Sequence, residues 1–251
     1  MTSFSSFHNK TLPINKNVNK QYVCINCGQS VKELYKKFST TVKVVRCDKC
    51  NLVVDKYIEF EPVVILIDSV LLSETAFRHI LFNQDFKLHW KLSLVLLLLE
   101  SFALFRHKRQ DIGFDDDVDM VHEKGFYICC LQNIIDNIIL FTLLFTCTVF
   151  VQKNFFNLRS AINMYKGITI ANFSKFFLLP IMIWRDNTTE FGANVHYFLV
   201  MGHYLLASIF LYSVVSRLSK TRSALIVLTL FALKKYIKAG ISMYTINNIS
   251  K

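Results

Sequence analysis

The sequence predicts a multi-span α-helical membrane protein preceded by a small cysteine-paired domain, and three observations carry that prediction. Apolar residues make up 53% of the 251 positions, with 23 Phe against only 7 Gly and 3 Pro. That is rich beside the roughly 45 to 50% of soluble domains. The richness is uneven: residues 1–61 are polar and lysine-rich, whereas most of residues 88–233 fall into long apolar runs separated by short charged loops. Near the amino terminus, two Cys-x-x-Cys pairs stand nineteen residues apart.

Taken in order, residues 1–20 hold no apolar core between a basic start and a cleavage site, so they read as a disordered polar arm rather than a signal peptide. The amino terminus is therefore expected in the cytosol. Residues 21–61 form the four-cysteine module. In residues 62–87 the run PVVILIDSVLL is too short to span a bilayer and contains Asp68, which predicts an amphipathic, interfacial segment between the module and the first span. Residues 88–251 form a transmembrane bundle. Four segments, near 88–105, 126–151, 167–184 and 192–216, have the roughly 17 to 25 apolar residues that a crossing needs. The eleven-residue run SALIVLTLFAL, near 223–233, reads as an interfacial helix or a short fifth span before Lys234 and Lys235.

The net charge of +11 follows the same layout. With the amino terminus inside, most Lys and Arg residues collect on the cytosolic side, as the positive-inside rule expects. The run RHKR at Arg106 to Arg109 is the exception. Basic residues beside Tyr35, Phe38 and Tyr57 would permit nucleic-acid binding chemically, but membrane spans argue against that partner.

Cys24, Cys27, Cys47 and Cys50 have the spacing of a tetrahedral thiolate zinc site. Two residues between thiols let one tight turn present both sulfurs to a single metal. Gly28 after the first pair and Asn51 after the second suit the left-handed conformation that such turns need. TVKVVRC alternates as a strand does. The expected unit is a zinc-ribbon-like cytosolic domain holding one structural zinc, which supplies folding energy that so small an apolar core lacks. Disulfides, a redox centre and free thiols are the competing readings. A cytosolic location disfavours disulfides, and a coordination sphere of four thiolates leaves no place for a catalytic water.

Reading onward, YVCINCGQSVKELY and VVDKYIEFEPVVILIDSVLLSETAFRHILFN together resemble the amino-terminal homology region of the ARV family. The residues that carry the resemblance are the four cysteines, Gly28, Val31, Leu34 and Tyr35, then Asp55, Tyr57, Ile58 and Glu59, then Ile67 and Asp68, and finally Ala76, Arg78, His79, Leu81 and Asn83. It covers Tyr22 to Asn83, about a quarter of the chain. Beyond that it is looser, resting on Trp90, Lys91 and the stretch FSKFFLLPIMIW at Phe173 to Trp184. The resemblance implies a multi-pass protein of the endoplasmic reticulum membrane. It further implies a non-enzymatic role in sterol uptake, trafficking and distribution, with effects on sphingolipids and on glycosylphosphatidylinositol (GPI) precursors. Membrane lipids are the implied partners, and the zinc module is a surface for a protein partner.

Polar residues within the spans carry their own expectations, because such groups are costly in lipid and face the bundle interior. Asn133, Asp136 and Asn137 share a helix face, as do Asn172 and Lys175. At 1.5 Å per residue, Asp136 and Lys175 lie at roughly 15 Å and 13 to 14 Å below the outer ends of their helices, which predicts an ion pair between them. The pair reads either as a structural tie or as a polar gap admitting a lipid headgroup or sterol hydroxyl. His196 and His203 are about 10.5 Å apart along the axis, too far for one metal, and read as packing groups. Arg78 and His79 cap the interfacial segment or meet lipid phosphates. The acidic run DDDVD at Asp115 to Asp119 lacks a calcium-loop pattern. Asn187-Thr188-Thr189 and Asn9 begin glycosylation sequons. The alternative function is a membrane enzyme, or partner subunit of one, in lipid or GPI-anchor synthesis. Against it, the chain has no acyltransferase His-Asp box, no Gly-x-Ser-x-Gly elbow and no glycine-rich phosphate loop.

Overall fold

The computed structural model describes residues 22–37, 42–84, 89–112, 119–152, 156–184 and 189–249. The polar arm with Asn9, most of the DDDVD run and the first two residues of the second sequon lie outside them.

Two short antiparallel hairpins build the cysteine module. Strand β1 (Tyr22–Val23) pairs with β2 (Ser30–Val31), and β3 (Tyr35–Lys37) with β4 (Val42–Val44). A 3₁₀ turn at Lys56–Ile58 follows, capped by Asp55, whose side chain accepts from the Tyr57 N–H. Helix α1 (Pro62–Val70) begins with Pro62, which has no N–H to leave unpaired in the first turn. It ends in a Schellman turn. The Ser73 N–H bonds to the Asp68 carbonyl and that of Leu72 to Ser69, with Leu72 left-handed at φ 59. Helix α2 (Glu74–Arg78) runs directly into a π-turn at His79–Asn83.

Five helical rods follow, and their contacts show that successive rods along the chain alternate in direction. They are α3 (His89–Ile112), α4 (Asp119–Val151), the broken rod of α5 (Leu158–Asn172) and α6 (Leu178–Trp184), α7 (Glu190–Ser216) and α8 (Lys220–Ile249). The break is a 3₁₀ stretch at Phe173–Phe177. Pro180 accounts for it, since it cannot donate to the Phe176 carbonyl four residues earlier and its ring crowds that oxygen. Thr148 donates to the Tyr212 hydroxyl and the Gln152 amide to the Ser216 carbonyl, so α4 and α7 run parallel, with α5 antiparallel beside them.

Among the described residues, two helices have the length and apolarity of a membrane span, at Lys124–Val151 and Asn194–Ser216. Their outer faces stay apolar: Ile128, Leu131, Ile135 and Ile138 on α4 and Phe198 and Leu199 on α7 are all exposed. Side chains of this kind, exposed together, call for an apolar surrounding. The short run near 223–233 is part of a continuous 30-residue helix, α8. It does not stop at Lys234 and Lys235, of which the first is half-buried and the second exposed, because lysine is a good helix former.

The main core joins α4, α5, α7 and α8 through Leu140, Leu144, Met164, Ala171, Leu211 and Val227, and it also takes in Phe77 and Leu81 from the α2 segment. That segment is thus wedged into the bundle rather than lying along its edge. His203, half-way along α7, donates through Nε2 to the Val70 carbonyl at the end of α1, at 2.8 Å.

Candidate metal centre and its docking contacts

The two knuckles repeat one geometry. The Gly28 N–H donates to the Cys24 carbonyl at 2.9 Å and the Asn51 N–H to the Cys47 carbonyl at 2.8 Å, with φ of 75° and 57° at the two turn residues. Each closing turn aims its paired sulfurs at the other knuckle. The Cys24 and Cys50 sulfurs are 3.8 Å apart, those of Cys27 and Cys47 are 3.6 Å apart, and all four lie within 4.8 Å of one another. A tetrahedron with metal–sulfur bonds of about 2.3 Å has edges of about 3.8 Å, whereas a disulfide would need about 2.05 Å. The four thiols therefore fit one tetrahedral, thiophilic metal ion. Backbone N–H groups of Cys50 and Lys49 favour the Cys47 thiolate and lower its pKa to about 7. Cys50 accepts from the Leu52 N–H, yet burial and the neighbouring thiols push it up to about 12. Four crowded sulfurs cannot all carry charge without a cation among them. Exposed Lys32, Lys43, Arg46 and Lys49 add positive charge on the module surface.

A small core of Cys24, Leu34, Cys47 and Val54 holds the module together. A second cluster, Ile25 and Tyr57 with Ile65 and Ala76, attaches it to α1 and α2.

The polar residues around this joint converge on Asp55, which is fully buried. Its Oδ2 accepts from His79 Nδ1 and from Asn83 Nδ2, each at 2.6 Å, and its Oδ1 from the Tyr57 N–H at 3.0 Å. A carboxylate only accepts, so the His79 proton is placed on Nδ1. Asn83 also completes strand β1, accepting from the Val23 N–H at 2.9 Å and donating to the Val23 carbonyl at 3.0 Å. Arg78 donates to the carbonyls of Ile25 and Asn26 inside the first knuckle and pairs with Glu74 at 3.1 Å. The Tyr57 hydroxyl donates to Asp68 at 2.6 Å, with Thr75 at 3.1 Å and Ser73 beyond it. Asp55, Tyr57, Asp68, Arg78, His79 and Asn83 are thus brought together as one joint between module and helices. Glu59 is exposed and closes the 3₁₀ turn through its backbone alone.

The expected Asp136–Lys175 pair is not formed. Lys175 is buried and meets Glu100 of α3 at 2.6 Å, with its ammonium 4.5 Å from the centre of the Tyr204 ring. Asp136 pairs at 2.6 Å with Lys238, which α8 carries past its apolar run. Depth along one helix pair could not show that a third and a fourth rod come closer. Sequence reasoning also missed Lys166. It is buried and donates to the carbonyls of Gln84 and Leu81 at 3.0 and 3.4 Å, holding the end of the π-turn. A lysine near a span end reads as a loop charge, so no signal marked it. His203 bridges Val70 and Ser174, while His196 is exposed.

A family model described as Arv1-like matches residues 23–208, far beyond the quarter of the chain that carries the resemblance in sequence. The chain belongs to the Arv1-like family. The match to that family takes in the candidate metal centre, its joint and the helices as far as Ser208 within α7. Protein ARV1 of Homo sapiens is 34% identical over 178 residues, 68% of this chain and 65% of the relative. The chain thus spans slightly under two thirds of that relative's length. The arv1 homolog of Dictyostelium discoideum is 26% identical over 212 residues, 75% of this chain and 84% of the relative. Protein ARV1 of Candida albicans is 40% identical over 63 residues, 24% of this chain and 21% of the relative. No solved structure matches.

Proposed function

We propose that this Arv1-like chain is a multi-pass protein of the endoplasmic reticulum membrane that supports sterol and lipid distribution without catalysing a reaction, and that its metal centre holds one structural zinc. Family membership supports a general role in sterol and lipid homeostasis. The observation that carries the reading further is an apolar cavity of about 380 Å³ beneath the joint, lined by Ile65, Leu66, Phe77, Ile80, Phe173 and His203 among others. It lies where α1 and the α2 segment meet the bundle. Val63, Ile67 and Leu71 expose apolar side chains on the same α1 element, which suits a re-entrant hairpin dipping into lipid. In this reading the zinc folds a cytosolic head that fixes the hairpin, and the hairpin and bundle together contact lipid. Effects on sphingolipids and GPI precursors belong to the same proposal, as does a protein partner on the head. The alternative is a subunit of a lipid-synthesising enzyme.

The test is lipid profiling in cells lacking their own family member, rescued by the intact chain or by Cys24→Ser/Cys27→Ser. Correction of sterol retention by the intact chain alone supports the proposal. Unchanged sterol distribution with one accumulating biosynthetic intermediate moves the assignment to the enzyme-partner alternative.

A further inference from the structure

A second cavity, of about 240 Å³, opens between α3, α4 and α5, away from the metal centre and its joint. Most of its lining is apolar, including Leu96, Leu97, Ile134, Ile138 and Phe141, with Glu100, Asn137, Thr169 and Asn172 among the polar groups. Ile134 and Ile138 at its mouth are exposed and belong to the apolar outer face of α4. A molecule dissolved in the hydrocarbon could enter sideways without passing through water.

One lining residue carries a buried polar atom that is unsatisfied, and the surrounding bonds dictate which. The Leu97 carbonyl can only accept, so the Asn133 amide N–H₂ faces it at 3.1 Å. Asn133 Oδ1 is then turned to Asn137 Nδ2 at 3.0 Å, and Asn137 Oδ1 to Asn172 Nδ2 at 3.0 Å. The ladder ends with Asn172 Oδ1, which is buried and has no partner. Asn172 is only 8% exposed and lines the cavity. A buried acceptor left unpaired is costly, and a native structure that retains one calls for a partner or a role for it. Glu100 on the same wall is already paired with Lys175, so no uncompensated charge there calls for an ionic head.

We propose that this cavity binds a neutral lipid bearing a hydroxyl donor, with the O–H donating to Asn172 Oδ1 and the apolar body against Leu96, Ile138 and Phe141. The proposal deepens the lipid-handling reading above and rests on it for the membrane setting. A sterol, a ceramide and a diacylglycerol share the required chemistry.

The experiment uses the full-length chain in lipid nanodiscs, with radiolabelled cholesterol, ceramide and diacylglycerol as separate probes. 5-Cholesten-3-one, which replaces the hydroxyl of cholesterol by a ketone and so has no donor, serves as the matched competitor. At least one hydroxyl lipid should bind saturably. If it is the sterol, the ketone should compete about five- to tenfold less well than the alcohol, the worth of one hydrogen bond to a buried acceptor. Asn172→Leu should weaken binding by a similar factor. Ile138→Trp, which fills the mouth without touching the amide ladder, should block entry even where Asn172→Leu fails to fold. Equal competition by ketone and alcohol, or binding unaffected by Ile138→Trp, overturns the site. If none of the three lipids binds while the chain still rescues lipid distribution in cells, the site is wrong and the lipid-handling role stands. If binding shows the expected discrimination but rescue fails, the site stands and the role falls.

Discussion

His79 Nδ1 lies 2.6 Å from Asp55 Oδ2, at the centre of the network that ties the cysteine module to the helices behind it. Both groups are buried, and the rings of His79 and Tyr57 pack at 5.3 Å beside them. Asp55→Ala would strand the His79 and Asn83 donors and the Tyr57 N–H without an acceptor. The expected loss is about 3 to 5 kcal/mol, seen as a fall in melting temperature and as protease cleavage between module and bundle. Asp55→Asn should cost less, because the amide can turn its oxygen to His79 and Asn83 and leave only the Tyr57 N–H facing its N–H₂. Full stability in Asp55→Ala, measured by thermal denaturation in detergent, would show that the joint does not depend on this carboxylate.

The Tyr57 hydroxyl serves a milder role in the same joint. Tyr57→Phe removes the bonds to Asp68 and Thr75 but keeps the ring in its cluster, so a loss of about 1 kcal/mol is expected. A double-mutant cycle with Asp68→Asn should show coupling, and additive effects would argue that the two groups act separately.

One zinc ion per chain is expected by elemental analysis, and none in Cys24→Ser/Cys27→Ser. Chelation should open residues 22–59 to protease while the helical circular dichroism stays largely unchanged, because the metal folds only the module. Protons compete with metal for the same sulfurs, so occupancy should fall as pH falls and recover as it rises. A chain that keeps its protease resistance after complete zinc removal would count against a structural metal.

The observed charge pairing makes an exchange experiment decisive. Glu100→Gln leaves the buried Lys175 ammonium without its partner and should cost several kcal/mol. The swap Glu100→Lys/Lys175→Glu should recover part of that loss, whereas Asp136→Lys/Lys175→Glu should not. Recovery by the second swap instead would reinstate the pair expected from helix depth.

Lys166→Met keeps the length and apolar stem of the side chain but removes its bonds to Gln84 and Leu81. A loss of about 1 to 3 kcal/mol is expected, since two carbonyls lose a charged donor. Hydrogen exchange should increase first in the π-turn at His79–Asn83. An unchanged exchange pattern would place the anchoring of that turn elsewhere.

The cysteine knuckles were legible in the sequence because a knuckle is a local object. Spacing sets which sulfurs can meet, and Gly28 and Asn51 declare the left-handed turns at 75° and 57°. The helical character and the two most apolar rods were legible for a similar reason, since length and apolarity along one segment need no knowledge of its neighbours. Asp55, Tyr57, Asp68, Arg78, His79 and Asn83 were grouped only by a family resemblance, and nothing in their spacing told that they form one network. Their convergence depends on how α1 and the π-turn fold back beneath the first knuckle.

The partners of Lys175 and Asp136 belonged to the tertiary structure alone. In water a lysine can choose among many weak partners, but in a packed bundle it pairs with whichever acid the neighbouring rods bring within hydrogen-bond distance, and that depends on rotation and offset of helices far apart in sequence. The same holds for Asn172: its position in a helix is written in the chain, whereas its unpaired oxygen exists only because Leu97 on another helix sets the direction of the amide ladder.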